Sequence, residues 1–238
     1  MTKILPFCSV PSLSERDEER LLIKITDDGS TTLYLPDLDE HYHSIHGAIQ
    51  ESMHVFIEAG LKHCKSNGLK IMEIGFGTGL NTLLTILNSD SKQIVYHAIE
   101  KYPLKNNIIK SINYPTLISS EASKKYFKKI HDATWNKEVE ITPTFKLKKI
   151  ETDLQIHNFE SGYDLIYFDA FAPDKQPELW KEEIFQKLFN SMNPNSILTT
   201  YSSKGSVRRA MKSCGFYVEK IPGAGGKREM VRAVKTNV

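Results

Sequence analysis

A chain of 238 residues with 40% hydrophobic and 25% charged side chains, 13 glycines and 10 prolines is long enough to bury the core of one domain with an appendage, and too short for a second full catalytic domain. This composition excludes collagen-like, coiled-coil and wholly disordered chains, and no apolar run reaches the roughly 18–20 residues of a membrane-spanning helix. The net charge of +2 hides segregation: residues 101–150 carry 11 basic and 4 acidic side chains and residues 201–238 carry 9 and 2, whereas residues 1–100 carry 8 and 14 and residues 151–200 carry 3 and 9.

The chain opens Met1-Thr-Lys-Ile-Leu-Pro6 and runs into Pro11 and the charged stretch 15–20, unlike a signal peptide, so a cytoplasmic protein without membrane association is expected. Cys8, Cys64 and Cys214 are an odd, scattered set that suits neither a disulfide framework nor a metal site. Residues 21–26 and 31–35 flank Asp27-Asp28-Gly29-Ser30 and read as a hairpin. The apolar residues Ala48, Ile49, Val55, Phe56, Ala59 and Leu61 predict a helix over 44–64 with Gly60 near its end. These first 66 residues read as an appendage. From 67 to 238 apolar strands alternate with helices: strands at 69–74, 94–99, 145–150, 163–168, 196–200, 216–221 and 230–234, and helices at 80–87, 178–190 and 204–214, with a long, partly helical stretch before 129. This rhythm predicts an α/β fold with a doubly wound, mostly parallel sheet.

The run Glu73-Ile-Gly75-Phe-Gly77-Thr-Gly79-Leu-Asn81 sets three glycines between the first buried strand and a helix. Such a turn needs residues that tolerate positive φ and let a ligand approach the backbone. Glu100, 21 residues after Gly79, ends the next strand, where an acid can accept hydrogen bonds from both hydroxyls of a ribose. The spacing differs from the G-x-G-x-x-G of dinucleotide sites, and Glu73, two residues before the first glycine, suits a ligand with a cationic amino-acid end rather than a pyrophosphate. The pattern resembles the first motif of class I, Rossmann-like S-adenosylmethionine-dependent methyltransferases.

Residues 163–168 form a β-rich run that ends in Asp169-Ala-Phe171-Ala-Pro173. In open α/β sheets ligands sit beyond the carboxyl ends of the strands, at the switch point beside the first strand. Asp169 is thereby expected where a methyl group would be transferred, able to accept a hydrogen bond from a substrate amine and to stabilise its growing charge. Phe171 offers an aromatic face to a cation.

Taken with Asp39-Glu-His-Tyr42-His43-Ser44, Gly47-Ala48, Glu51-Ser52, Glu100-Lys101-Tyr102-Pro103-Leu104, Pro177-Glu-Leu-Trp180, Tyr201-Ser-Ser203, Val207-Arg208-Arg209 and Gly225-Gly-Lys227-Arg228-Glu-Met230, these motifs resemble the bacterial tRNA methyltransferase family that forms 5-methylaminomethyl-2-thiouridine at the wobble position, the methyltransferase half of Mnm-type bifunctional enzymes. The resemblance implies S-adenosyl-L-methionine as methyl donor, tRNA carrying 5-aminomethyl-2-thiouridine as acceptor, and cofactor contacts from Glu73, Gly75, Gly77, Gly79, Asn81, Glu100, Lys101 and Asp169. Many relatives carry a following FAD-dependent oxidase. This chain ends at Val238, so that partner is expected to be a separate protein. Where the family has Gly-Asp after the third strand, this chain has Glu151-Thr-Asp153; Asp153 is expected at the adenine, with Glu151 the alternative.

Segregated cations are the footprint of a polyanion, and a tRNA acceptor makes Arg208, Arg209, Lys227, Arg228 and Arg232 candidates for phosphate contact. Lys124, Lys125, Lys128 and Lys129 read instead as a solvated helix face. Tyr42, His43 and Ser44 are expected to help close the pocket. Two other readings remain: an aminopropyltransferase resembling spermidine synthase, and a catalytically silent RNA-binding module on the same fold.

Overall fold

A computed structural model describes residues 21–118 and 120–236; the expectations for Cys8 and for the first 20 residues lie outside that range. Strands β1 (Leu22–Ile25), β2 (Thr31–Leu35) and β3 (Glu40–His41) make a small antiparallel sheet in the order β1-β2-β3. Its turn is tied down by Asp28, whose Oδ1 accepts hydrogen bonds from the Ser30 backbone N–H at 3.0 Å and the Thr26 hydroxyl at 2.8 Å, an acidic side chain mimicking a backbone turn.

The expected helix over 44–64 begins later and is less regular. Gly47 has φ of +138°, which breaks any helix before Ala48. Helix α1 (Ala48–Ser52) runs directly into a wider π-helical segment, Met53–Glu58, and then a 3-10 turn, Leu61–His63. The Gln50 backbone N–H finds the Asp28 carboxylate at 3.0 Å, so the hairpin turn supplies the anion that α1 needs at its start.

The rest of the chain builds β4 (Gly68–Ile74), α2 (Leu80–Leu87), β5 (Gln93–Glu100), α3 (Asn106–Ile109), α4 (Tyr114–Leu117), α5 (Glu121–Asp132), β6 (Glu138–Thr142), β7 (Phe145–Glu151), β8 (Tyr163–Phe168), α6 (Glu182–Ser191), β9 (Met192–Thr200), α7 (Gly205–Ser213), β10 (Tyr217–Pro222) and β11 (Glu229–Val234). The eight-stranded sheet has the order β10-β11-β9-β8-β4-β5-β7-β6. Neighbours from β9 to β7 are parallel, and β11 and β6 run antiparallel to theirs. The order reverses at β4, with β5 on one side and β8 on the other, which puts the expected switch point between the glycine loop and Asp169.

Alternation along the strands sorts the core into two layers. Leu69 and Ile71 of β4, Tyr96 and Ala98 of β5, and Leu165 and Tyr167 of β8 face α2, α5 and the Val55–Phe56 turn. Met72, Ile74, Ile99, Ile166 and Phe168 face α6 and α7. Val55, Phe56, Ile57 and Leu61 share the first layer, so the segment after the small sheet packs as part of the main core. The helix expected over 178–190 is split: a 3-10 turn, Pro177–Trp180, precedes α6. Trp180 packs edge-on against Phe168, ring centroids 4.7 Å apart. Among the described residues no helix is long and apolar enough to cross a membrane.

Candidate active site

Because Ile74 pairs with Phe168 across the parallel β4–β8 ladder, the chain leaves both strands at the same level and Gly75 emerges beside Asp169. Gly75, Gly77 and Gly79 have φ of +88°, +49° and +74°, the left-handed region that a Cβ disfavours. A Cβ on Gly75 would come within 2.6 Å of the Asp169 carbonyl oxygen, and one on Gly77 within 3.3 Å of the Tyr42 ring. Glycine is required by close approach as well as by backbone angle. The loop is pinned from the next strand: the Ile99 carbonyl accepts from the N–H groups of Gly75 and Phe76 at 3.0 Å each, and the two Glu100 oxygens accept from the N–H of Gly77 and of Tyr102 at 2.9 Å each.

These carboxyl ends open into a cavity of about 1090 Å³, larger than the roughly 300–1,000 Å³ usual for one small ligand. Its wall includes Gly75, Gly77, Asn81, Glu100, Lys101, Asp153, Asp169 and Phe171, together with Tyr42, His43 and Ser44 from the N-terminal part and Lys227 and Arg228 from the β10–β11 turn. Between the alternatives after β7, Asp153 lines the cavity and Glu151 does not. Asp153 is bridged to Lys101 at 2.8 Å. Its carboxyl is held below the ordinary value, the Lys101 contact and the Gln155 N–H outweighing the opposing effect of burial, which is the largest single influence.

Asp169 takes a hydrogen bond from the Asn81 Nδ2 at 2.8 Å. Burial pushes its carboxyl up to about 7; Asn81 and Lys227 oppose the shift and Glu51 adds to it. The corner is held from behind by two donors, Trp180 Nε1 to the Phe171 carbonyl and Tyr201 OH to the Ala170 carbonyl, both at 2.8 Å. Phe171 meets Tyr42 edge-on with centroids 5.1 Å apart and lines the cavity instead of plugging the core.

Three expected contacts fall elsewhere. The Glu73 side chain is 1% exposed and turned into the layer beneath the loop, where it accepts from Thr82 at 3.0 Å and Tyr96 at 2.9 Å; it is absent from the cavity wall. The alternation that sends Ile71 inward on β4 sends Glu73 the same way, so it does not meet a ligand directly. Gly79 caps α2 behind the loop. Lys227 is not a free phosphate contact: its Nζ lies 2.7 Å from Glu51 and 4.5 Å from the centre of the Tyr201 ring.

Arg208 and Arg209 lie on α7 outside the cavity wall, while Lys204 at the cap of that helix and Arg228 line its rim. Sequence reasoning gave no role to Glu51, Trp180 or Tyr201, although each sits in a motif. The readable signal was position: Tyr201 directly follows β9, the neighbour of β8, so it reaches the same end of the sheet.

A family profile for S-adenosyl-L-methionine-dependent methyltransferases matches residues 117–236. The "tRNA 5-methylaminomethyl-2-thiouridine biosynthesis bifunctional protein MnmC" of Cupriavidus metallidurans is 30% identical over 226 residues, covering 88% of this chain and 33% of that protein; the chain thus spans about a third of the relative's length. The crystal structure of MnmC2 from Aquifex aeolicus is 26% identical with a TM-score of 0.75, covering 96% of this chain and 80% of that one. Spermidine synthase from Thermotoga maritima, 14% identical at a TM-score of 0.50 over 90% of this chain and 71% of that one, shares the fold.

The residues present fit the cofactor of this family: Gly75 and Gly77, both at positive φ, line the cavity without a side chain, and the Glu100 and Asp153 carboxylates lie along the same wall, a lining suited to the hydroxyls of a ribose and the amino group of a base. The chain belongs to the S-adenosyl-L-methionine-dependent methyltransferases, and S-adenosyl-L-methionine is its cofactor.

Proposed function

We propose that this chain methylates the exocyclic amine of 5-aminomethyl-2-thiouridine at the wobble position of tRNA, giving 5-methylaminomethyl-2-thiouridine. The observation that carries the reading is one cavity whose wall holds the glycine loop and, directly beside it, the Asp169 carboxylate next to the Phe171 and Tyr42 rings. The name of the MnmC relatives, which refers to tRNA 5-methylaminomethyl-2-thiouridine biosynthesis, supports the choice of acceptor.

S-adenosyl-L-methionine, when bound, supplies an electrophilic methyl group on a sulfonium. Glu100 accepts the ribose hydroxyls while fixing the Gly77 and Tyr102 N–H groups, and Asp153, paired with Lys101, faces the adenine amino group. Asp169 accepts a hydrogen bond from the neutral amine and stabilises the cation that forms on nitrogen as the methyl arrives. Phe171 and Tyr42 form the wall against which the methylene and the cation rest, and Ser44 closes the pocket on the Gly225 side, its Oγ accepting from the His46 N–H at 3.2 Å. Positioning of nitrogen in line with the methyl carbon supplies much of the rate. An FAD-dependent oxidase acting earlier on the same nucleoside is the partner this chemistry asks for when the amine is masked.

An aminopropyltransferase would want an acidic polyamine channel. The wall here carries Lys101, Lys175, Lys204, Lys227 and Arg228 beside Glu40, Glu51, Glu100, Asp153, Asp169, Glu178 and Glu229, so its charge does not separate the two readings and the acceptor assay does. Incubation of tRNA bearing 5-aminomethyl-2-thiouridine with the protein and methyl-labelled donor, followed by mass spectrometry of the wobble nucleoside, is expected to show one added labelled methyl on the side-chain nitrogen. Label elsewhere in the tRNA, or none, overturns the assignment.

A further inference from the structure

Two segments far apart in the sequence meet at one carboxylate in the cavity wall. Glu51 of α1 accepts the Ser44 backbone N–H on Oε2 at 3.0 Å and the Lys227 ammonium on Oε1 at 2.7 Å. Lys227 lies over the Tyr201 ring, 4.5 Å from its centre, and the Tyr201 hydroxyl donates to the carbonyl of Ala170, the residue after Asp169. Ser44, Glu51, Asp169, Tyr201 and Lys227 all line the cavity. An ammonium has three donors, and among the described residues Glu51 is the one hydrogen-bond acceptor of Lys227. Two donors are left for a group that enters the cavity.

We propose that Glu51 is a positioning residue that holds the Lys227 ammonium on the face of Tyr201, where its remaining N–H groups donate to a ring carbonyl oxygen of the acceptor base while Asp169 takes the amine. The inference rests on the methylation reading given above and extends it from the amine to the base. In a 5-aminomethyluridine the ring carbon next to the one bearing the side chain carries a carbonyl oxygen, so a donor beside the Asp169 corner is placed to meet it. Lysine alone would not stay there: its four-carbon stem is flexible and its strongly hydrated ammonium is drawn to water. The Ser44 N–H turns one Glu51 oxygen away and leaves the other for Lys227.

The β10–β11 turn is fastened to the N-terminal segment without this pair. The His54 Nε2 meets the Pro222 carbonyl at 2.8 Å, and Gly225 packs so near Ser44 that a Cβ would come within 3.3 Å of its Oγ. The Lys227 side chain is 42% exposed and that of Glu51 11%, and an ion pair with one member in water adds little to stability. Holding the turn in place therefore leaves the pair unexplained, whereas its position in the cavity wall does not.

The test is a double-mutant cycle in single-turnover methylation, with donor and an anticodon stem-loop carrying 5-aminomethyl-2-thiouridine both saturating, alongside calorimetric titration of the donor. Lys227→Met is expected to slow methyl transfer about tenfold through lost alignment of the base. Glu51→Gln is expected to slow it by a similar factor, because an amide accepts on one oxygen only and cannot hold both Ser44 and Lys227. The double variant is expected to be no slower than Lys227→Met, since the two act as a unit, and donor affinity is expected to stay within about twofold throughout. A stem-loop with sulfur in place of the ring oxygen, a poorer acceptor, is expected to slow the wild type and leave the Lys227→Met rate unchanged. Losses that multiply in the double variant, a wild-type rate in either single variant, or equal slowing of wild type and Lys227→Met by the sulfur substrate overturn the proposal. So does a parallel fall of donor affinity and Tm in Glu51→Gln, which would make the pair a brace of the fold. Each of these outcomes leaves the methylation reading standing. A wild-type protein that transfers no methyl group to the stem-loop overturns that reading, and this proposal with it.

Discussion

At the scale of single residues, Asp169 shows how one carboxylate is placed and charged by its neighbours. Its backbone N–H donates to the Ile74 carbonyl at 2.9 Å, which fixes the corner to β4, and the Asn81 donor fixes the side chain. Asp169→Asn keeps the shape and an oxygen for Asn81 while removing the charge. Because that charge matters more to the developing cation than to the neutral amine, the substitution is expected to lower single-turnover methylation about 100-fold, the low end of what a positioned acid-base or electrostatic group supplies, and to change the affinity for cofactor and tRNA little. Quench-flow at saturating donor measures it. Recovery of the rate at high pH would mean that Asp169 acts only in deprotonating the amine, and an unchanged rate would reduce it to a cap of the loop.

At the scale of elements, what was legible in the sequence follows from how each strand is buried. β4, β5 and β8 are covered on both faces and read as continuous apolar runs, so their positions and the helix α2 between β4 and β5 were found within a residue or so. β3 is two residues long and β6, Glu138–Thr142, sits at the sheet edge with mostly solvent-facing side chains; neither leaves an apolar pattern. Glu73 was read as facing a ligand, yet it sits at an inward position of β4, and Lys149 is a second charged strand residue at an inward position, on β7. Lys149 is 1% exposed, donates to the His131 carbonyl at 3.0 Å and lies 4.7 Å from the centre of the Trp135 ring, so it belongs to no polyanion footprint.

Much of the basic 101–150 block is likewise answered within the chain, Lys101 by Asp153, Lys128 by Asp132, Lys146 by Glu138 and Lys148 by Glu160. Under the proposed tRNA reading, Arg208 on α7 and Arg228 in the β10–β11 turn are therefore the stronger candidates for phosphate contact. Arg208→Ala and Arg228→Ala are each expected to weaken tRNA binding and reduce the slope of log affinity against log salt by roughly one contact. Lys227→Ala, which strips Glu51 of its partner, is expected to lower turnover and leave the slope nearly unchanged. Slopes equal to wild type in both arginine variants would move the RNA path off this face.

At the scale of the whole molecule, buried titratable groups make stability depend on pH in two opposing ways. Burial lowers His43, His97 and His131 to about 4 from 6.5. The folded chain then binds fewer protons than the unfolded one between those values, and stability rises with pH up to about 6.5. Burial raises Glu73 to about 8 from 4.5 and Asp169 to about 7 from 3.8. Here the folded chain holds the extra protons, so stability falls as pH rises, until about 7 for Asp169 and about 8 for Glu73. Each group acts with a slope of at most about 1.4 kcal/mol per pH unit. Three rising slopes outweigh two falling ones below pH 6.5, and only the falling ones remain above it. The cofactor-free protein is accordingly expected to be most stable near pH 6.5 and to lose about 2 kcal/mol by pH 8, a drop of about 4–8 °C in Tm for a chain of this size. Glu73→Gln, which cannot ionise, removes most of that alkaline loss. Thermal unfolding followed by circular dichroism from pH 5 to 8 decides it: a wild-type Tm that keeps rising to pH 8, or an equal alkaline loss in Glu73→Gln, would show that Glu73 enters the folded state already ionised.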